Sequence, residues 1–547
     1  MAGLATTFGS GAMTNPISEI TDETELMLLI GTNATEAHPI IGYKMRQAAR
    51  RGAKMIVCDP RRIDLVDEAD YWLQLKPGTD IPLLNGLMHI IIKEGLEDKN
   101  FVAERTENYE ALKETVQNYP PEYVSELTGI SVEDLYAVAR LYANTDKAMI
   151  FYTLGITEHI CGTRNVMSIA NLAMLTGHLG RPGTGVCPMR GQNNVQGACD
   201  MGALPNVYPG YQAVTNDEIR QKFEQSWGVS LPAKVGLKIP EMFEAAHEGK
   251  VKAMYILGEN PVLTDPNSNH IRAALEKLDF LVVQELFLSE TAEYADVILP
   301  AASFAECNGT FTNTERRVQR VRQAIEPIPG QANWQTICQM STKLGYPMEY
   351  EHPSDIWNEM ASLTPSMAGI NYQRLENSSL QWPCPTEDHP GTPYLHKGKF
   401  TRGLGLFQPS DHIPAGEMPD KEYPFLLSTG RILFHYNVTT PYSEGIASVW
   451  DKEMAEIHPE DAEKLGLVTG QQVKIQSRRG EVISAVKVTD RVQPGMVWMS
   501  FHYAATPTNA LTSDALLLQF EWGMAGLLYF GTIDRGHGLG FSDRPVA

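Results

Sequence analysis

ELMLLIGTNATEAHPIIGYKMRQAARRGAKMIVCDPRR, residues 25–62, changes its hydrophobic period twice. Leu26–Ile30 is an unbroken apolar run ended by Gly31, the mark of a strand buried on both faces. Residues 38–52 have helical spacing, with Pro39 suited to the first turn and Gly52 to a C-cap. A second apolar run, KMIVC, then ends on the acid Asp59. Strand, helix, strand is a βαβ unit. The same order returns in VKAMYILGENPVLTDPNSNHIRAALEKLDFLVVQE, residues 251–285. There a strand ends at Gly258, Asn267 is expected to cap a helix over about 268–277, and a second strand runs into Glu285. Loop glycine and closing acid are 28 residues apart in the first unit (Gly31, Asp59) and 27 in the second (Gly258, Glu285). Matched acids at the carboxyl ends of two such units predict two nucleotide-like half-sites, since an acid there can bond ribose hydroxyls or a guanine edge. Neither loop has G-x-G-x-x-G, so the nicotinamide fingerprint is absent. Two ligand-free α/β units satisfy the same pattern, because fold does not fix function.

A chain of 547 residues exceeds one ordinary core, and three or four domains or subdomains are expected. The hydrophobic fraction of 43% and charged fraction of 20% are those of a folded globular protein. The net charge of -21 argues against a nucleic-acid or anionic-membrane partner. An anionic ligand would then need a local positive pocket, which directs attention to single arginines. The seven cysteines show no C-x-x-C pair, so no zinc or iron–sulfur cradle is visible, and the pattern suits a reducing compartment. No signal peptide opens the chain. No uncharged run is both long and apolar enough to span a bilayer; GMVWMSFHYAATPTNALTS carries His502, Asn509 and several threonines.

From about Tyr423 the character changes to short apolar runs between turn signals, with SRRGEV as a hairpin turn and HPEDAEKLGL as a short helix. This predicts a β-barrel domain, joined to the rest by the Pro-rich stretch from about 382 to 420. Between the βαβ units lies CPMRGQNNVQGACDMG, residues 187–202. It has neither strand alternation nor a helical stripe. One cation, Arg190, stands among glycines and the amides Gln192, Asn193, Asn194 and Gln196.

These stretches, with GSGAMTN, DPRR, LKPGTD, GENP, ETAEYADVILPA, NGTFTNTERRVQ, STGR and FHYAATPTNALT, resemble the molybdopterin-dependent oxidoreductase family, and most closely its formate dehydrogenase catalytic (alpha) subunits. The likeness runs from residue 2 to about 515. The long run from Met174 to Gln212 is specific to the formate dehydrogenase branch. The resemblance implies an α/β fold: two interleaved dinucleotide-binding-like βαβ domains followed by a C-terminal β-barrel of double-psi type. The expected domains are a catalytic α/β region over 1–415, with βαβ subdomains at about 20–150 and 250–330 joined by a substrate-site segment at 151–249. A dinucleotide-binding barrel over 416–515 and an atypical tail over 516–547 follow.

The family carries molybdenum or tungsten on a bis-(molybdopterin guanine dinucleotide), and two half-sites suit two cofactor halves. By motif, Gly31, Asn33, Glu36, Asp59, Arg61, Gly78 and Asp80 are expected to line one dinucleotide. Gly258, Glu259, Asn260, Glu285, Thr291 and Asp296 are expected to line the other. Thr429, Gly430, Arg431, His435 and Asn509 would close over the pterins, with His159 and Gly191 near the cofactor. Glycine-rich turns present backbone amides to pyrophosphate. In this pattern Arg190 holds the substrate carboxylate, because a guanidinium grips a carboxylate bidentately and stays charged in a dry pocket; Gln192 stands beside it. The expected reaction is formate to carbon dioxide or the reverse. The expected partners are formate or carbon dioxide and an electron-transfer iron–sulfur subunit, or a hydrogenase or NAD-linked partner. The expected location is the cytoplasm of an anaerobe. A nitrate or arsenate reductase and an inactive cofactor-binding fragment are the competing functions.

Other residues have plainer readings. His178 is expected as a core hydrogen-bonding residue, Cys187 and Cys199 as buried small residues, and Arg316 and Arg317 as paired to acids. Two departures from the family matter. Its four-cysteine iron–sulfur domain (4Fe-4S) and its selenocysteine or cysteine metal ligand, followed by histidine, have no counterpart here, so no metal ligand is expected within this chain. AGLATTFGSGAMTN closely follows that dipeptide in the family. The expectation is therefore a selenocysteine codon read as stop, a downstream valine codon taken as the start, and an inactive chain as given. After LTSDA, the tail LLLQFEWGMAGLLYFGTIDRGHGLGFSDRPVA shares nothing with the family, and the last barrel strand is expected to be absent or replaced.

Overall fold

The computed structural model describes residues 1–514 and the backbone of a strand at 537–541. Its first sheet is all parallel, in the order β3-β2-β1-β4-β5: β1 Leu26–Ile30, β2 Lys54–Cys58, β3 Tyr71–Leu73, β4 Ala148–Tyr152 and β5 Gly185–Pro188. Every residue of β1 is buried. Leu26, Leu28 and Ile30 join the core on one face, while Met27 and Leu29 join the core on the other. Burial on both faces is what an apolar run without alternation requires. The boundary expected at 150 falls inside β4, and the first sheet runs on to Pro188, so the segment 151–249 is partly built into it.

The second sheet has the parallel order β8-β7-β6, from β6 Ala253–Leu257, β7 Phe280–Glu285 and β8 Val297–Pro300. The repeat is deeper than two strands. Gly31 N–H donates to the Cys58 carbonyl, and Gly258 N–H to that of Gln284, both at positive φ. Asp70 takes the N–H of Met55 and Asp296 that of Leu281; each pair is 15 residues apart, and each acid immediately precedes its sheet's third strand. The helix after β1 spans Pro39–Arg50 with Pro at its first turn, and Arg51 rather than Gly52 is its C-cap. The corresponding helix of the second unit is Ser268–Leu275. Asn267 is its N-cap residue, in the left-handed region, but its side chain makes no capping bond: its amide donates to Asp514.

The C-terminal strands are β12 Phe425–Gly430, β13 Met454–Ile457, β14 Gln472–Gln476, β15 Glu481–Val488, β16 Met496–Ser500 and β17 His537–Phe541, after an antiparallel ribbon of β9 Gly309–Thr312, β10 Arg317–Val321 and β11 Leu380–Gln381. They close in the order β12-β16-β13-β15-β14-β17. β12 runs parallel to β16 and β13 parallel to β15, the pairing expected of a double-psi barrel. SRRGEV is the expected hairpin turn between β14 and β15. Of the two outcomes expected for the last barrel position, the structure has a replacement: β17, from the tail, pairs with β12 and β14. The rest of the tail lies outside the described residues. The Pro-rich connection packs on the first domain. Phe400 and Phe407 are buried in its core, and Ser410 and Gln408 accept from Asn85 and Asn171. Among the described residues no helix is long and apolar enough to cross a membrane.

Candidate active site

Parallel strands bring their carboxyl ends to one edge, and the first cleft opens there. Its walls are the loops after β1 (Gly31, Thr32, Asn33, Glu36), β2 (Asp59, Arg61) and β4 (Thr153, Glu158), and the barrel residues Thr429, Gly430, Arg431, Trp498 and Phe501. The empty space is about 610 Å3, part of it open to solvent. Gly31 sits at φ 57, and a Cβ there would come within 2.5 Å of Ile156 N; one on Gly155 would come within 2.3 Å of Gly31 O. Two loop backbones touching, rather than a ligand, require these glycines. Asp59 accepts from Arg61 N–H at 3.0 Å. Arg61 lines the cleft, but its fork is committed to Glu456 of β13 at 2.8 and 3.0 Å, and it lies 4.0 Å over Trp498. Asp80 starts the helix Asp80–Glu94 and faces His159 at 3.7 Å; both are buried. Gly78, at φ 81, makes the turn just before it.

The second unit gathers most of its expected set. Asn260 accepts from Thr291 Oγ1 at 2.8 Å and donates to Glu290, which staples two loops together. Glu285 ends β7, beside the loop of Gly258 and Glu259. Burial first, then the charge of Glu285, raises Glu259 to about 7; burial, then Glu259, raises Asp265 to about 8. Burial also raises Glu285. Asp296 does not belong with them. Its bond to Leu281 places it at the amino end of the sheet, four residues from Glu285 along β7, or about 13 Å at strand rise. Asn509, fully buried, spends its amide on the carbonyls of Leu263 and Thr264, so it docks the barrel onto this unit.

Arg190 follows β5 by two residues. Its N–H donates to Thr314 Oγ1 at 3.0 Å, and its carbonyl meets His38 Nε2 at 2.6 Å. Its guanidinium donates from Nη2 to the Gly11 carbonyl at 2.8 Å and from Nε to Gln196 Oε1 at 3.4 Å. Gln196, not Gln192, is therefore the amide that meets Arg190. Gln196 continues into a buried cluster with Asp200, Tyr211 and Trp382. Gly191 is exposed, and a Cβ on it would lie 3.9 Å from Arg431 Nη2. Arg431 packs 5.1 Å over Phe501 and bonds Asn437. Burial, and after it the nearby Arg431, lowers His38 to about 4 despite the bond to Arg190, so its imidazole is neutral. His435 bonds the Trp450 carbonyl and Tyr503 and stacks on His502 at 5.3 Å.

Several plainer expectations resolve as well. His178 bonds Thr176 and the Thr145 carbonyl in the core, and Cys187 and Cys199 are buried. Arg317 pairs with Glu315 at 2.8 Å, but Arg316 pairs with no acid among the described residues: it is fully buried and donates to the carbonyls of Met13, Trp382, Thr392 and Pro393. Sequence reasoning missed Thr153, Trp498, Glu456, Asp200 and His38. A signal existed for the last. GTNATEAHP and GENPVLTDP align without a gap, placing His38 and Asp265 at one position, before Pro39 and Pro266.

A pterin dinucleotide suits this donor set. The buried Thr32 Oγ1 in the first cleft, His38 Nδ1 and His435 Nδ1 have no hydrogen-bond partner among the described residues, although a buried polar group normally has one. The Molybdopterin oxidoreductase family model matches residues 2–343, and the Molydopterin dinucleotide binding domain model matches residues 425–517. The chain is 46% identical to "F420-dependent formate dehydrogenase 1 subunit alpha" of Methanococcus maripaludis, over 94% of this chain and 77% of that protein. It is 42% identical to "Formate dehydrogenase H" of Escherichia coli, over 94% of this chain and 73% of that one. Among solved structures, acetylene hydratase from Pelobacter acetylenicus shares the fold with a TM-score of 0.74 at 20% identity, covering 94% of this chain and 77% of the other.

Proposed function

Since the chain belongs to the molybdopterin oxidoreductase family, we propose that it is the catalytic chain of a formate dehydrogenase, interconverting formate and carbon dioxide. The observation that carries this reading is Arg190. Nε and Nη2 are tied to Gln196 and Gly11, while Nη1 has no hydrogen-bond partner among the described residues. A planar fork fixed on one side and open on the other suits a small carboxylate. His38, held neutral, adds no charge to compete with the guanidinium and fixes the Arg190 backbone instead. Arg431, across from Gly191, extends the positive field.

A bis-(molybdopterin guanine dinucleotide) with molybdenum or tungsten supplies the two-electron acceptor when bound. We assign one dinucleotide to the cleft of Gly31, Asn33, Glu36 and Asp59, with Asp80 and His159 behind it. The other goes to the loops of Gly258, Glu259, Asn260, Glu285 and Thr291. Thr429, Gly430 and Arg431 form the barrel-side wall. Asp296 and Asn509 are left with structural roles, and Gln192 is kept as a neighbour of the substrate. Electrons leave to an iron–sulfur or nicotinamide-linked partner. No disulfide joins the described cysteines, which suits a reducing compartment such as the cytoplasm.

The test is an assay of the cofactor-loaded protein. Formate should reduce a viologen dye, nitrate and arsenate should not oxidise the reduced dye, and Arg190→Gln should abolish saturation by formate. Nitrate or arsenate turnover without formate turnover would replace this reading.

A further inference from the structure

Behind Arg190 lies a buried acid whose three partners are all donors. Asp200 Oδ1 accepts from Gln196 Nε2 and from the Tyr211 hydroxyl, both at 2.8 Å; Oδ2 accepts from Trp382 Nε1 at 2.7 Å. Tyr211 also accepts from Gln196 Nε2 at 2.9 Å. We propose that Asp200 is a positioning residue for Arg190: as a carboxylate it dictates which end of the Gln196 amide faces the guanidinium. The inference rests on the reading of Arg190 as the substrate clamp.

The argument is one of donors and acceptors. An indole N–H can only donate, so Oδ2 must accept. An ionised carboxylate can only accept, so the Gln196 NH2 is drawn to Oδ1 and its carbonyl is turned outward. That carbonyl is the group that meets Arg190 Nε–H, at 3.4 Å. If Asp200 takes a proton, Oδ2 is blocked by the indole, and the new O–H belongs on Oδ1. The cluster then has one donor too many. Gln196 relieves it by turning its carbonyl inward, and its NH2 then opposes Arg190 Nε–H, donor against donor. The guanidinium loses an anchor and its aim.

The groups facing Asp200 fix where this happens. Burial raises its carboxyl to about 6, against the three hydrogen bonds and the charge of Arg190, which lower it. Arg190 and Arg316 are the cations that face it, and Tyr211 and Cys199 are the neutral titratable groups. The Met1 amino group, beyond them, faces Arg190 and Cys199 and is itself lowered to about 4 by burial. Asp200 is therefore the member of this cluster that titrates near neutrality.

The test uses the cofactor-loaded protein with 15N-labelled arginine and tryptophan. The Trp382 indole resonance, assigned by Trp382→Phe, reports Asp200 directly, and the Arg190 Nε–H resonance, assigned by Arg190→Lys, reports the clamp. Both should move together with a midpoint near pH 6 and be flat in Asp200→Asn, whose NH2 imposes the turned amide at every pH. In activity, Asp200→Asn should raise KM for formate about tenfold with kcat nearly unchanged, the size of one charge-assisted bond. The acid limb of kcat/KM should disappear with it. Tyr211→Phe removes one stabilising donor with little change of shape, and should move the shared midpoint upward. An Arg190 resonance that stays still while Trp382 titrates would overturn the coupling, as would a Trp382 resonance flat from pH 5 to 8. Coupled resonances with an unchanged KM would uphold the linkage and overturn Arg190 as the formate clamp.

Discussion

Arg190 matters for geometry as much as for charge. Its backbone is pinned at both ends and two of its guanidinium nitrogens are bonded, so the remaining edge has one direction to point. Lysine keeps the charge and loses the planar fork. Arg190→Lys should therefore cost about 1–3 kcal/mol in kcat/KM, mostly as a raised KM. Steady-state kinetics with formate reads this directly, and wild-type constants would remove Arg190 from the substrate site. A second single-residue effect concerns Asp265. Its folded-state carboxyl sits at about 8 and its unfolded value at about 3.9, so between them the folded state holds a proton the unfolded state lacks. Its contribution is full below about 3.9, falls as pH rises above that, and is gone above about 8. In cofactor-free protein the melting temperature of Asp265→Asn should gain on that of the wild type between pH 5 and pH 8.5, by at least about 2 °C. A difference that shrinks with pH would contradict the shift.

At the scale of elements, two strand–loop–helix units repeat down to single hydrogen bonds, including the Asp70 and Asp296 links that hold each third strand. The repeat makes Asp59 and Glu285 equivalent: each follows the residue whose carbonyl takes the loop glycine. In the proposed assignment each is one polar anchor among several at a dinucleotide end. Asp59→Ala and Glu285→Ala should each lower bound pterin and metal without unfolding the chain. Pterin fluorescence after release and metal analysis of the purified variants check this. Full loading in both would disprove the assignment of the two half-sites.

At the scale of the whole molecule, the first cleft exists because the barrel is docked over the first sheet. The most buried ion pair between them among the described residues is Arg61–Glu456: the two side chains are 6% and 3% exposed and bonded twice, with Lys487 also on Glu456 at 3.1 Å. Breaking a buried pair strands a charge, whereas replacing both partners by apolar groups does not. Glu456→Gln should cost about 3–5 kcal/mol in urea unfolding, and Arg61→Met with Glu456→Met should cost far less than the single change. Equal losses in the two would mean that the pair does not hold the domains.

The amino-acid sequence by itself determined the local elements. A short apolar run without alternation, ended by a glycine, reads as a strand buried on both faces, and a proline in the first turn marks the helix start, so both βαβ units, the hairpin and the barrel were legible. Local signals carry no information about which loop meets which. That Gln196 rather than Gln192 reaches Arg190, that Asp296 serves the far end of its sheet, and that Arg316 is satisfied by carbonyls all depend on contacts tens or hundreds of residues apart. The Pro-rich connection is the plainest case. Its composition marks a linker, yet Phe400 and Phe407 are buried in the first domain, because their apolar surface finds a core the local sequence does not mention. Arg61 and Glu456 are 395 residues apart, and only the closed tertiary structure turns an arginine in a βαβ loop into the tie between two domains.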